Sequence, residues 1–196
     1  MKQTLRILLI VMLAIAMGAC SSRKVTRVSP DETIDLSGRW NSTDAQSTAE
    51  AMITQSLSER WISDFQNQND NLKPVVIVGF VQNKTHEHID AEIFINDLEK
   101  AFINSGRVKL VQGGEKREQL RGERAAQQDY SSPETVAQWG REVGANFMLQ
   151  GDITSIVDTY KKEKVIFYKV NLQLTNIETS EVVWIGDKEI KKYVNK

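Results

Sequence analysis

Between residues 166 and 175 the side chains sort strictly by parity: Ile166, Tyr168, Val170, Leu172 and Leu174 on one side, Phe167, Lys169, Asn171, Gln173 and Thr175 on the other. A period of two places neighbours on opposite faces of a strand, so this segment has one apolar face to bury and one mostly polar face. A strand of this kind needs lateral partners for its backbone and a cover for its apolar face. The partners are close in sequence. Residues 147–153 read as a strand, and residues 176–180 supply turn chemistry ahead of an apolar run at 181–185, which makes a hairpin.

The cover comes from the first two-thirds of the chain, where the spacing becomes helical. Ala49, Met52, Ile53, Leu57, Trp61 and Phe65 form one stripe of a helix predicted over 43–65, with Ser47 or Thr43 to cap its start. Pro74 opens a β-branched run at 75–81, apolar on both faces as a central strand is. Asp90 as N-cap, Ile89 and Phe94 as a hydrophobic staple, a stripe of Ala91, Phe94, Leu98 and Phe102, and Gly106 as the stop predict the next helix.

Residues 107–112, with Val108, Leu110 and Val111, read as a short strand broken by Gly113 and Gly114. The Arg- and Glu-rich stretch 115–128 reads as a weakly packed helix. Ser132 with Pro133 at the first helical position starts another, with Val136, Trp139 and Val143 inward and Gly144 at its end. The order implies an α/β (α+β) domain with a single mixed, largely antiparallel sheet flanked by helices, closed by an antiparallel C-terminal meander.

Ahead of the domain, Lys2 and Arg6 precede an apolar run from Ile7 to Met17, and the small residues Gly18 and Ala19 stand before Cys20. That is the layout of a cleavable signal peptide, and the run falls short of the roughly 20 apolar residues that a membrane-spanning helix needs. Cys20 is the sole cysteine, so an intramolecular disulfide is excluded. The order Met17-Gly18-Ala19-Cys20 resembles a lipobox, which implies acylation of Cys20 after cleavage. Acyl chains contribute about 0.8 kcal/mol per buried methylene, enough in multiples to anchor the chain to a membrane. The expected organisation is a signal peptide at 1–19, a lipidated cysteine with a flexible tether at 20–37, and the folded domain at 38–196.

The tether carries few large apolar residues, and at about 3.3–3.6 Å per residue it spans at most roughly 50–60 Å. Residues 36–41, with Leu36, Gly38 and Trp40, are expected to dock it onto the domain. The chain has 25 Lys and Arg against 26 Asp and Glu, so loss of Lys2 and Arg6 leaves 23 against 26, a formal charge of −3. Near-balanced charge speaks against nucleic acid as the main partner.

A search for chemistry finds little. His86-Glu87-His88 holds both histidines of the chain, yet no cysteine or spaced third ligand accompanies them, so no metal is expected there. Gly113-Gly114 lacks the lysine and spacing of a phosphate-binding loop, Gly79 belongs to no dinucleotide fingerprint, and no serine sits in a nucleophile elbow. Trp61, Trp139 and Trp184 fall on apolar stripes or strands, where core packing is the ordinary role. No catalytic residue, no cofactor, no small-molecule substrate and no enzymatic activity are expected.

Several ordered blocks carry a resemblance. PVVIVGFVQNKT at 74–85, LEKAFINSG at 98–106, VKLV at 108–111, AQWGREVGANFML at 137–149 and the hairpin at 172–184 are similar to the LpoB-like family, lipoprotein activators of penicillin-binding proteins. Related domains occur in the curli-secretion lipoprotein and the N-terminal domain of the Tol-system periplasmic protein. The resemblance implies an outer-membrane lipoprotein on the periplasmic face that binds and stimulates a bifunctional class A penicillin-binding protein in peptidoglycan synthesis. Ser21, where enteric inner-membrane lipoproteins carry aspartate, agrees with outer-membrane sorting. Enteric members have a long proline-rich linker, whereas the leader here is short and holds only Pro30.

The alternative is a structural or secretion-associated envelope role, as in the curli system. A large amphipathic hairpin would favour it, and the region around residues 160–163 reads as short and charged. The candidate protein interface is the polar loop Asn83, Lys84, Thr85, His86, Glu87 and His88, because loops on a rigid scaffold carry function disproportionately.

Overall fold

The computed structural model describes residues 25–29, 32–130 and 142–195. The chain divides into Met1–Glu32 and Thr33–Lys196, and the buried core belongs wholly to the second unit. The signal segment, Cys20 and the helix expected from Ser132, with Trp139, lie outside the described residues. Val143, expected inward on that helix, is exposed, because residues 142–145 are irregular and the helical periodicity does not reach them.

Five strands, β1 (Val75–Asn83), β2 (Lys109–Leu110), β3 (Phe147–Tyr160), β4 (Glu163–Asn176) and β5 (Val182–Asn195), form one sheet in the order β2-β1-β3-β4-β5. β1 pairs in parallel with β2 and β3, and β3-β4-β5 is an antiparallel meander. Leu149 stands opposite Leu174 and Leu174 opposite Trp184, and Ile153 stands opposite Val170, so the parity seen in the sequence becomes one continuous apolar face. Helices α1 (Ser42–Ser58) and α3 (Ala91–Ser105) pack on each other, α1 against β5 and α3 against β1 and β2. Phe94, Leu98 and Phe102 of α3 are completely buried, and Gly106 ends that helix in the left-handed conformation.

The single helix expected over 43–65 is two: α1, then α2 (Trp61–Gln68) after a break at Glu59 and Arg60. The apolar stripe survives because both helices bury the same face. The break is held by tertiary contacts. The Trp61 indole N–H donates to the Ser56 carbonyl at 2.7 Å, and Arg107 donates to the Leu57 carbonyl, which supplies donors to carbonyls at the end of α1 that lack the i+4 amide of a continuing helix.

The start of α1 also differs from expectation: Asn41 is the cap, two residues ahead of Thr43 and six ahead of Ser47. Its side chain accepts from the Asp44 N–H at 3.1 Å while Asp44 accepts from the Asn41 N–H at 2.9 Å, a reciprocal capping box. Asn41→Ala should lower the unfolding free energy by about 1 kcal/mol, measured by denaturant titration.

Helix α4 (Gly114–Tyr130) buries no residue, as its composition predicts, and is held by polar contacts such as Arg121 and Arg124 to Glu142. The meander exceeds expectation. β3 and β5 were expected to end at Ile153 and Ile185, yet both run for 14 residues, because strand pairing continues where the apolar pattern fades. Among the described residues no helix is long and apolar enough to cross a membrane.

Candidate functional site

The loop that joins β1 to α3 is organised by Asn83. Its Oδ1 accepts from the Thr85 N–H at 2.9 Å and the Thr85 hydroxyl at 2.8 Å, and its Nδ2 donates to the Glu87 and Ile89 carbonyls at 2.8 and 3.3 Å. The Thr85 Oγ1 accepts in turn from the Glu87 N–H at 3.1 Å. Asparagine and threonine favour such local side-chain to backbone bonds, and here every member has a partner. The Lys84 N–H donates to the Ile153 carbonyl at 2.8 Å, which ties the loop to β3.

Glu87 turns inward. Its Oε1 accepts from the Tyr168 hydroxyl at 2.8 Å and its Oε2 from the Trp40 N–H at 3.2 Å; the Tyr168 oxygen also accepts from the Trp40 N–H, at 3.0 Å. Tyr168 is completely buried. Burial first, then the hydrogen bond to Glu87 and its charge, push the phenol well above its ordinary value of 10.0.

Through Trp40 the loop joins a strap, residues 33–41, laid over the core face of the meander. The Trp40 ring meets Tyr168 and Phe94 edge-on, with centroids 5.6 and 6.3 Å away. Gly38 has φ 69° and lies against Val194 and Ile166 where a Cβ would stand, so both the conformation and the space demand glycine. Lys192, 9% exposed, places its Nζ 2.6 Å from Asp35, 2.6 Å from Asp44 and 3.2 Å from the Arg39 carbonyl. Burial works to lower the Lys192 pKa, but the hydrogen bonds and charges of Asp35 and Asp44 outweigh it and hold the ammonium above its ordinary value.

Of the six residues of the candidate interface, Asn83, Thr85 and Glu87 therefore build the loop, and Lys84, His86 and His88 are exposed. The Lys84 ammonium pairs with Asp152 at 2.8 Å, and Asp152 also accepts from Asn171 at 3.0 Å. Burial alone would raise the Asp152 carboxyl; the hydrogen bonds from Lys84 and Asn171 prevail and keep it below its usual range. His88 also lines a groove of about 300 Å³ with Trp40, Ile89 and Ile93. Among the described residues no group of three His, Cys, Asp or Glu side chains is placed to hold a metal ion.

The model of the peptidoglycan-synthase activator LpoB matches residues 44–190, most of the chain. The chain belongs to the LpoB family. The family is that of a peptidoglycan-synthase activator, a role of activation and not of catalysis. Among solved structures, the LpoB C-terminal domain from Escherichia coli is 19% identical, with 76% of this chain and 99% of that chain covered and a TM-score of 0.46. The corresponding domain from Salmonella enterica is also 19% identical, with the same coverage of 76% and 99% and a TM-score of 0.43. Lipoprotein GNA1162 from Neisseria meningitidis is 14% identical over 62% of this chain and 84% of that chain, with a TM-score of 0.39. Comparison with curated protein sequences finds no match.

For this LpoB-family chain, sequence reasoning missed the link from the loop to the strap. Tyr168 read as one more core residue, and its hydroxyl gave no local signal of the Glu87 and Trp40 partners. Lys192 did leave a signal: it falls on the inward parity between Ile190 and Val194.

Proposed function

We propose that this chain is anchored to the outer membrane by lipid on Cys20, faces the periplasm, and binds a bifunctional class A penicillin-binding protein whose glycosyltransferase and transpeptidase activities it raises. The observation that carries the reading is the match of the family model across residues 44–190. The chain does no chemistry of its own in this role. It shifts its partner's conformational population, which requires tighter binding to the active state than to the inactive one.

Lys84, His86 and His88 are the candidate contacts. They stand on a loop whose polar groups are already paired within it, and a preordered loop loses little freedom when a partner arrives. The test adds the chain from Ser21 onward, without Cys20, to a class A synthase while glycan polymerisation from lipid II is followed. A saturable rise in rate is expected. The combined variant Lys84→Ala, His86→Ala, His88→Ala should weaken binding by about tenfold, ~1.4 kcal/mol. Its stability should change by less than about 1 kcal/mol, since the one ion pair lost is largely solvated. Unaltered binding by this variant would remove the loop as the interface. No binding by the parent chain would favour the structural or secretion-associated role.

A further inference from the structure

The β3–β4 hairpin runs on beyond the part of the sheet that the helices cover. Inward residues of β3 are buried as far as Ile153, but Val157 on the same face is 42% exposed, and Ile156 and Tyr160 on the opposite face are each 68% exposed. β5 continues beside them and adds Tyr193, 61% exposed, next to Val165 in β4, its hydroxyl bonded to Glu163. The turn between the strands is Lys161-Lys162, both exposed, with the Lys161 Nζ 5.2 Å from the Tyr160 ring. Lys161 holds φ 54°, a left-handed conformation that glycine or asparagine adopts more easily, so a cation stands where local geometry favours another residue.

The outward face changes character nearer the middle of the sheet. There Lys84 pairs with Asp152, and Lys169 with Asp187 and Glu189. Exposed apolar side chains stand there too, Phe80 and Ile185, but beside lysines paired with carboxylates, whereas the tip sets exposed rings beside the lysines of the turn.

The strap reaches the domain at this same end. Asp35 bonds Lys192 and Gly38 packs on Ile166 and Val194, residues within three or four positions of the turn or of the strand end beside it. The end of the sheet that carries the tip is therefore also the end on which residues 35–38 of the strap lie.

We propose that this tip is a membrane-contact site for anionic phospholipid. Tyr160, Tyr193 and Ile156 would seat in the headgroup and upper acyl region while Lys161 and Lys162 pair with lipid phosphates. Tyrosine is favoured at the membrane–water boundary because its ring is apolar and its hydroxyl wet, and lysines near a membrane surface are drawn to anionic headgroups. Tyrosine is also common at protein–protein interfaces, so it is the adjacent pair of exposed lysines at the turn that favours lipid phosphate here. Crossing the bilayer is ruled out by Asp158, Glu163 and Lys164, which interrupt any apolar band. The contact lies on the surface, and it is independent of the synthase reading and of lipid on Cys20.

The test uses the chain from Ser21 onward without Cys20, since the whole buried core lies in Thr33–Lys196. Sedimentation with vesicles of phosphatidylglycerol and phosphatidylethanolamine should carry the protein down at low salt and release it at high salt. Pure phosphatidylcholine vesicles should not. The variant Tyr160→Ser, Lys161→Glu, Lys162→Glu should bind at least about tenfold more weakly with its melting temperature maintained. Tyr160→Trp should show a blue shift on binding and be quenched by brominated lipid. Absence of vesicle binding by the parent chain, or equal binding by the triple variant, would overturn the proposal. So would a parent chain that ignores vesicles while the triple variant loses synthase stimulation in solution, which would assign the tip to a protein partner.

Discussion

Replacing Lys192 by methionine is expected to lower the unfolding free energy by about 3 kcal/mol, because one cation serves two carboxylates and a carbonyl in a nearly closed site. Methionine retains most of the volume of the lysine stem, so the loss reports the pairing and not a cavity. Asp44 suffers most: its side chain is 11% exposed, whereas Asp35 at 43% can turn to water. Asp44 also completes the capping box of α1 by accepting from the Asn41 N–H, so loss of its cation acts directly on the start of the helix. Two measurements check the expectation. Denaturant titration gives the free energy, and limited trypsin digestion at Arg39 reports release of the strap before global unfolding. Adding Asp44→Asn to the methionine variant should recover part of the loss, since the stranded charge disappears. A change under about 1 kcal/mol, with Arg39 still protected, would mean that the strap is held by Trp40 and Gly38 alone.

The same cluster sets an alkaline limit. Lys192 and Tyr168 both hold their protons more tightly folded than unfolded, since each pKa is raised above its ordinary value of 10.5 or 10.0. Their contribution is complete below those ordinary values. It falls as pH rises through the range between the unfolded and folded values, where the folded state retains a proton that the unfolded state has released. Unfolding free energy followed upward from neutral pH should therefore decline above about pH 10, and the decline should be shallower in Tyr168→Phe.

The elements that the chain announces locally are those whose signals need no partner. α3 has its cap, staple, stripe and stop within its own sequence, and β4 carries its parity in ten consecutive side chains. The break between α1 and α2 has no glycine or proline to mark it; the indole of Trp61 closes it locally and the guanidinium of Arg107, fifty residues on, reaches it from a distance. The outer halves of β3 and β5 were hidden for a similar reason. Their pattern is diluted by Asp158, Lys188 and Lys191; backbone bonds to β4 sustain both, and in β5 the contacts of Lys192 and Val194 with the strap add to them. In the loop, the polarity of Asn83, Thr85 and Glu87 read as exposure to solvent, although those groups are consumed by the turn, Tyr168 and Trp40. What sequence conveyed of the site was its location; which side chains face outward required the register.

Gly151→Val is expected to cost about 3 kcal/mol or more, and Gly151→Ala a large part of that. Gly151 lies in β3 opposite Leu172, at the point where the pairing with β1 shifts register between Val78 and Val81. A Cβ there would collide with the Asn171 carbonyl and stand 2.7 Å from a Leu172 methyl. The carbonyl belongs to the β3–β4 ladder, so relief requires the strands to separate and give up backbone hydrogen bonds. Gly186 makes a useful contrast, because a Cβ there meets the Trp184 ring and, at 2.8 Å, the Gln55 side chain. Side chains can shift where a strand cannot, so Gly186→Ala should cost less, about 1–2 kcal/mol. Gly144 has open space and no positive φ, and Gly144→Ala should fall within about 0.5 kcal/mol of the parent. The effect at Gly151 should also reach the loop, since the next residue, Asp152, pairs with Lys84, and Ile153 binds the Lys84 backbone. Gly151→Ala should therefore weaken synthase binding more than its loss of folded population explains, measured where the variant is still mostly folded. If it binds like the parent once folded, the loop is decoupled from the strand beneath it, and the rigidity assigned to Asn83 would have to be local to the turn.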